Sequence, residues 1–177
     1  MSEFTRDWTS GYSHKWKKWL QPFVGAKNVR GLEVGCFEGR SSKWFLDNIL
    51  TDPSSSLTCV DFNLNLTFSN VVKPYGSKVQ FYNVASNVAL RSFPMYHFDF
   101  VYIDGSHKAP NVLEDAVLAF LVLKRGGVMI FDDYLMKSDT PNDPYTMPKM
   151  AIDSWLYLYK GKLDVIGHSY QVAVIKK

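Results

Sequence analysis

Cysteine is almost absent: the chain holds only two, Cys36 beside a glycine-bearing turn and Cys59 within an apolar run. Thiols so placed make neither a disulfide framework nor the paired spacing of a zinc knuckle, and they fit a reducing, cytoplasmic compartment. Any apolar run near the roughly 20 residues needed to cross a bilayer is missing too. The longest, Ala116 to Leu123, is far shorter, and the opening MSEFTRDWTS lacks the apolar centre of a signal peptide. A soluble, non-secreted protein without a membrane partner is expected. The charge excess is small, a formal +3, and apart from one N-terminal cluster the basic residues are scattered, so charge gives no case for nucleic acid. No internal repeat or low-complexity tract occurs. What is present is 177 residues with 46% hydrophobic and 15% aromatic content, enough for one well-buried core and too little for two. A single domain over 1–177 is expected.

The organising stretch runs from Phe98 to Tyr134, FDFVYIDGSHKAPNVLEDAVLAFLVLKRGGVMIFDDY. It reads as strand, helix, strand. The apolar run Phe98 to Ile103 suits a strand buried on both faces, and parallel strands need a crossover helix, which Pro110 to Lys124 supplies. Pro110 fits a first helical position, and Gly126 with Gly127 reads as the helix stop. Asp104 closes the first strand, and Asp132 and Asp133 close the second. Ligands of open α/β sheets bind outside the carboxyl ends of the strands, so three carboxylates reach one rim.

Earlier in the chain, Trp16, Trp19, Leu20 and Phe23 share one helix face within an N-terminal helical segment over 1–28, ended early by Pro22. Lys15, Lys17 and Lys18 take the other side. That pattern fits a docked amphipathic helix with a solvated basic face, a cover for the active-site mouth, or a contact to an acidic partner. Strands follow at Val29 to Cys36, Leu57 to Phe62 and Lys78 to Tyr82, with helices from near Gly39, around Leu66 to Lys73, and before Pro94. The segment 134–149 holds three prolines and reads as a substrate loop. A helix near Met147 to Tyr159 precedes strands Lys162 to Gly167 and Tyr170 to Ile175, joined so closely around His168 and Ser169 that they pair as an antiparallel hairpin.

The turn after the first strand is Gly35-x-x-x-Gly39. It lacks the dinucleotide fingerprint because Phe37 holds the approximate place of the second glycine. Glu33 would repel a diphosphate and favour a cation. A ligand with ribose, adenine and a positively charged amine or sulfonium fits, with Asp61 at the end of strand two placed for the ribose hydroxyls.

The motifs LEVGCFEG, VDF, FDFVYIDGSH and LKRGGVMIFDDY, in that order, resemble those of class I S-adenosylmethionine-dependent methyltransferases. The resemblance covers the chain from Val29 onward. It implies a Rossmann-like α/β fold, a doubly wound, mostly parallel seven-stranded sheet in the order 3-2-1-4-5-7-6, with the C-terminal hairpin antiparallel. It further implies that Gly35 and Gly39 admit the methionine part of the cofactor, that Glu33 contacts its amino group, and that Asp61 binds its ribose. Phe62 and the segment holding Val84 and Ala85 would face the adenine. Cys36, Phe37, Arg40, Ser41 and Asp104 complete the implied cofactor contacts.

IDGSH and FDDY resemble metal-dependent small-molecule O-methyltransferases of the catechol and macrolide-sugar types. This implies Mg²⁺ or a similar ion on Asp104, Asp132 and Asp133, with Asp104, Asp132 and His107 as catalytic residues. Hard carboxylate ligands suit such an ion, whereas for any single aspartate a helix cap or solvated strand end is the plain alternative. His107 can equally serve its own loop, and Tyr134 can line the acceptor pocket or pack. The partner expected is a small hydroxylated acceptor. Because the short N-terminal region offers little cap over the site, the 134–149 loop or a second copy of the chain is expected to complete it. A metal-free enzyme acting on nucleic acid or protein, served by HKWKKW, and a catalytically silent cofactor-binding domain stand as alternatives.

Overall fold

The computed structural model describes residues 4–137 and 143–177. Among these, the strands are β1 (Arg30–Val34), β2 (Ser56–Asp61), β3 (Val79–Asn83), β4 (Phe98–Ile103), β5 (Leu123–Phe131), β6 (Leu163–His168) and β7 (Val172–Lys176). They form one sheet in the order β3-β2-β1-β4-β5-β7-β6, the order implied by the resemblance. β5 pairs with β7, and β7 with β6, antiparallel; the remaining pairs are parallel. The helices are α1 (Ser13–Trp19), α2 (Arg40–Asn48), α3 (Leu66–Val72), α4 (Ser86–Ser92), α5 (Ala109–Val122) and α6 (Pro148–Tyr159).

Side-chain alternation along the central strands gives the sheet two cores. Val101 and Ile103 of β4 point to the side where α4, α5 and α6 pack, among Ala119, Ile152 and Trp155. Phe100 and Tyr102 point to the other side, among Trp16, Phe45 and Phe68 of α1, α2 and α3. A strand buried on both faces must be apolar at nearly every position, which is why FDFVYI reads so plainly. The amphipathic reading of α1 holds: Trp16, Trp19 and Leu20 are buried while Lys17 and Lys18 are exposed. Trp16 stacks on Phe45 at 5.1 Å, and its indole N–H donates to Oε1 of the buried Gln171 at 2.8 Å.

Two expectations need correction. α5 stops at Val122 and Leu123 is already extended, so Gly126 and Gly127 do not end the helix. They shape a bulge: β5 pairs Leu123 with Phe98 and then Val128 with Phe100, leaving extra residues between. Gly126 has φ +76, and a Cβ on Gly127 would lie 2.9 Å from the carbonyl oxygens of Asp99 and Lys124. Only glycine fits both demands. The hairpin turn is also later than expected, because β6 includes His168 and the reversal is made by Ser169 to Gln171.

Candidate active site

Each strand end at the rim is tied to the next. The Gly35 N–H donates to the Val60 carbonyl at 2.9 Å, Asp104 N–H to Val34 at 2.8 Å, and Asp132 N–H to Ile103 at 3.0 Å. The carboxylates that follow are thus set by the sheet. Gly35, at φ +84, sits where the ends of β1 and β4 nearly touch: a Cβ there would lie 2.1 Å from the Asp104 carbonyl oxygen. The glycine is therefore required by the backbone of Asp104, whatever ligand is bound. Gly39, at φ +82, precedes α2 against the Phe68 ring and lines neither of the cavities described next.

Two cavities open at this rim and share Gly35, Phe37, Asp104 and Gly105 as walls. One, of about 570 Å³, is lined by Asp61, Phe62, Ala85, Asn111 and Asp115. The Asp61 carboxylate faces it and also holds the turn, accepting from the N–H groups of Cys36 at 2.9 Å and Phe37 at 3.2 Å. Phe62 is 82% exposed. Val84 instead packs against the core, so within that segment it is Ala85 that lines the cavity. Asp115 is buried, which pushes its carboxyl up to about 6 despite a hydrogen bond from Ser86.

The other cavity, of about 480 Å³, is lined by Asp104, Asp132, Asp133 and His107, with Cys36, Arg40 and Ser41 on the turn side. Glu33 lines neither cavity. It is fully buried beneath the turn, its carboxylate accepting from the hydroxyls of Ser41 and Ser42, so Ser41 stands between it and the ligand space. Burial lifts the Glu33 carboxyl to about 7 against the pull of those hydroxyls. Glu33, Cys36 and Cys59 also cluster, but burial raises both thiols, which suits a protonated structural knot better than a metal site.

The acids divide into two environments. Asp132 is enclosed by donors: the Tyr102 hydroxyl, Gln171 Nε2 at 2.9 Å and the N–H of Asp133 at 2.7 Å. Asp133, at φ +57, accepts from Tyr170 at 2.9 Å and lies 2.9 Å from His107 Nε2. Burial would raise Asp133, but the His107 and Tyr170 contacts outweigh it and hold the carboxyl below its ordinary value. The same contact raises His107. Asp104 is pushed well up, first by burial and then by the charges of Asp132 and Asp133. The donor atoms of Asp104, His107 and Asp133 lie within 4.8 Å of one another, a convergence that excludes Asp132 and includes His107.

Several lining residues escaped the sequence reading. Arg6, Trp8, Thr9 and Tyr12 wall the second cavity, so the N-terminal region covers the site more than expected. Tyr102 was hidden in an apolar run, and Tyr170 and Gln171 in a terminal strand hairpin; a polar residue, Gln171, directly before the apolar VAVI was the available signal. Of the expected substrate loop, Met136 lines this cavity, while residues 138–142 lie outside the described residues. Tyr134 is buried and hydrogen-bonded to Asp153 at 2.9 Å, which makes it a packing residue.

Comparison with known proteins agrees with this architecture. A family model described as a methyltransferase domain matches residues 32–134, more than half of the chain. An uncharacterized protein, R132, of Acanthamoeba polyphaga mimivirus is 31% identical over 153 residues, covering 77% of this chain and 66% of that protein. The chain therefore spans slightly less than two thirds of that relative. Among solved structures, an O-methyltransferase from Bacillus cereus in complex with S-adenosylhomocysteine superposes with a TM-score of 0.71 at 17% identity, over 98% of this chain and 84% of that one. MycE methyltransferase of the mycinamycin pathway, in complex with Mg and S-adenosylhomocysteine, has a TM-score of 0.69 at 17% identity, over 97% of this chain and 51% of that one. These structures share the fold, and the family match carries the assignment: the chain belongs to the family described as a methyltransferase domain.

Proposed function

We propose that the protein transfers the methyl group of S-adenosylmethionine to an oxygen of a small hydroxylated acceptor, with Mg²⁺ or a similar divalent ion at the rim. The observation that carries this is the convergence of Asp104, His107 and Asp133 in a cavity that shares walls with the Asp61 cavity. The donor chemistry fits such an ion: two carboxylates supply hard oxygen ligands, and Asp104, whose ionisation is held back first by burial and then by the neighbouring carboxylates, gains from a cation. Asp104 and Asp133 would hold it, with His107 beside them; Asp132 would join only by exchanging its hydrogen bonds. The cofactor would supply a methyl group on a cationic sulfur, and the ion a charge that lowers the pKa of the acceptor hydroxyl.

The remaining work falls to this chain. Asp61 offers its carboxylate to the ribose, Phe62 an apolar face to the adenine, and Ser41 relays the negative field of Glu33 toward a cationic amine. Tyr102 and Gln171 fix Asp132 in one orientation, and His107 balances Asp133 when no cation is there. Positioning of this kind supplies most of the rate in an in-line displacement.

A second reading has one observation in its favour. The 2.9 Å contact between His107 and Asp133 is also the geometry of a base and its orienting carboxylate, so His107 can take the acceptor proton without an ion. The test is calorimetric titration of Mg²⁺ and Mn²⁺ into the protein saturated with S-adenosylhomocysteine. Saturable binding that disappears in Asp133→Asn is expected, and no binding by the parent would favour the metal-free reading.

A further inference from the structure

We infer that Asp115, from α5, reads the base of the cofactor, accepting a hydrogen bond from the exocyclic amino group of adenine and so preferring it over bases that lack one. The inference rests on the reading above that the Asp61 cavity holds S-adenosylmethionine, and adds the residue that selects its base. Asp115 lies midway along α5, among residues that pack on the sheet. It is only 1% exposed, yet it lines the same cavity as Asp61 and Phe62. Among the described residues its carboxylate has the Ser86 hydroxyl as a donor and no cationic partner. Burial raises its carboxyl to about 6 against the pull of that hydroxyl, and the neighbouring Glu114 adds to the rise. A carboxylate withdrawn from water in this way gains from a further N–H donor.

The other polar side chains on the wall formed by α4 and α5 are engaged with neighbours. Glu114 pairs with Arg91 at 2.7 Å and accepts from Asn87 Nδ2 at 3.3 Å, and Asn111 Nδ2 donates to Ser106 Oγ at 3.1 Å. Ala85, which leads from β3 into α4 on the same wall, has no polar side chain. Among these side chains Asp115 is left to meet the polar edge of a base. The position of the wall decides which part of the cofactor it meets. The reactive methyl must reach the acidic cavity, so the sulfonium belongs at the shared walls, Gly35, Phe37, Asp104 and Gly105. Ala85, Ser86 and Asp115 line the Asp61 cavity alone, which puts them with the base. An amino group offers two N–H donors to an ionised carboxylate, and a site built around such a bond rejects the analogue without it because the buried acceptor is then left unpaired.

The test is a cycle that pairs a change in the protein with a change in the ligand. Calorimetry measures the binding of S-adenosylhomocysteine and of its deamino analogue, in which hydrogen replaces the amino group of the base, to the parent, Asp115→Asn, Asp115→Ala and Asp61→Ala. The parent is expected to bind S-adenosylhomocysteine about tenfold more tightly than the analogue, or better, the scale of one hydrogen bond to a charged group. Asp115→Ala should remove most of that preference by weakening the amino ligand and sparing the analogue. Asp115→Asn, which retains a neutral acceptor in the same shape, should keep only part of it. Equal binding of the two ligands by the parent overturns the inference. So does an unchanged preference in folded Asp115→Ala, with both ligands weakened alike, since Asp115 would then do no more than hold Ser86. Should Asp115→Ala fail to fold, Asp115→Asn decides, and a preference equal to the parent's overturns the inference. Asp61→Ala separates this from the cofactor reading: if it weakens both ligands while the Asp115 variants keep the parent's preference, the cavity assignment stands and the inference falls. A preference that depends on Asp115, with Asp61→Ala without effect, sustains the inference and removes the ribose contact instead. A parent that binds neither ligand overturns both.

Discussion

Glu33 has no solvent contact, yet it sits one layer beneath a turn expected to receive a cation. Its ordinary value of 4.5 rises to about 7 in the folded chain. A carboxyl raised on folding binds its proton more tightly when folded, so stability is greatest below about pH 4.5 and falls as pH climbs to about 7, by on the order of 3 kcal/mol. Glu33→Gln should flatten that fall and raise the melting temperature at pH 8, while weakening S-adenosylmethionine binding. Thermal melts across pH 4 to 8 check the first part and calorimetry the second. Asp115, raised to about 6, adds slope of the same sign and should persist in the variant. Gly35→Ala should fare worse: strain at φ +84 and a Cβ 2.1 Å from a backbone oxygen should cost about 2–4 kcal/mol, read as a lowered denaturant midpoint. At this scale the sequence was partly legible. Spacing placed Glu33, Gly35 and Asp61 at or beside strand ends, where the fold has them, but the neighbours that define them were not readable, since Ser41 above Glu33 and Asp104 against Gly35 are contacts made only by the fold.

Elements were more legible than the details joining them. β4 matched its expected span because burial on both faces leaves an uninterrupted apolar run. The β5 bulge was unreadable for the opposite reason: a glycine pair after an apolar helix signals a helix stop as readily as a bulge, and only pairing with Phe98 and Phe100 decides. The link between α1 and the β6–β7 turn was equally hidden. Trp16 and Gln171 join a helix to a turn 155 residues away, and Gln171 then donates to Asp132. Gln171→Leu should leave the buried Trp16 N–H without its acceptor and cost about 1–3 kcal/mol. It should also lower turnover, since Asp132 loses a fixed donor. Stability loss with unchanged kcat would limit Gln171 to a packing role.

At the scale of the molecule, a sheet whose strand order reverses around β1 and β4 brings the Asp61 cavity and the acidic cavity together at one rim. If the Asp61 carboxylate serves the ribose as proposed, besides holding the turn, Asp61→Ala should weaken S-adenosylmethionine binding by about 1–3 kcal/mol; unchanged affinity by calorimetry would remove it from the cofactor site. Asp132 and Asp133 line the acidic cavity and not the Asp61 one, while Asp104 lines both, so loss of an ion should affect cofactor binding less than loss of Asp61. The most direct measurement is methyl transfer from isotope-labelled S-adenosylmethionine to 1,2-dihydroxybenzene, with Mg²⁺ and in excess chelator, alongside S-adenosylhomocysteine affinity in both. Transfer with Mg²⁺, abolished by chelation while cofactor affinity holds, is the expected result. Undiminished transfer by protein shown by elemental analysis to be metal-free would contradict an ion at Asp104 and Asp133.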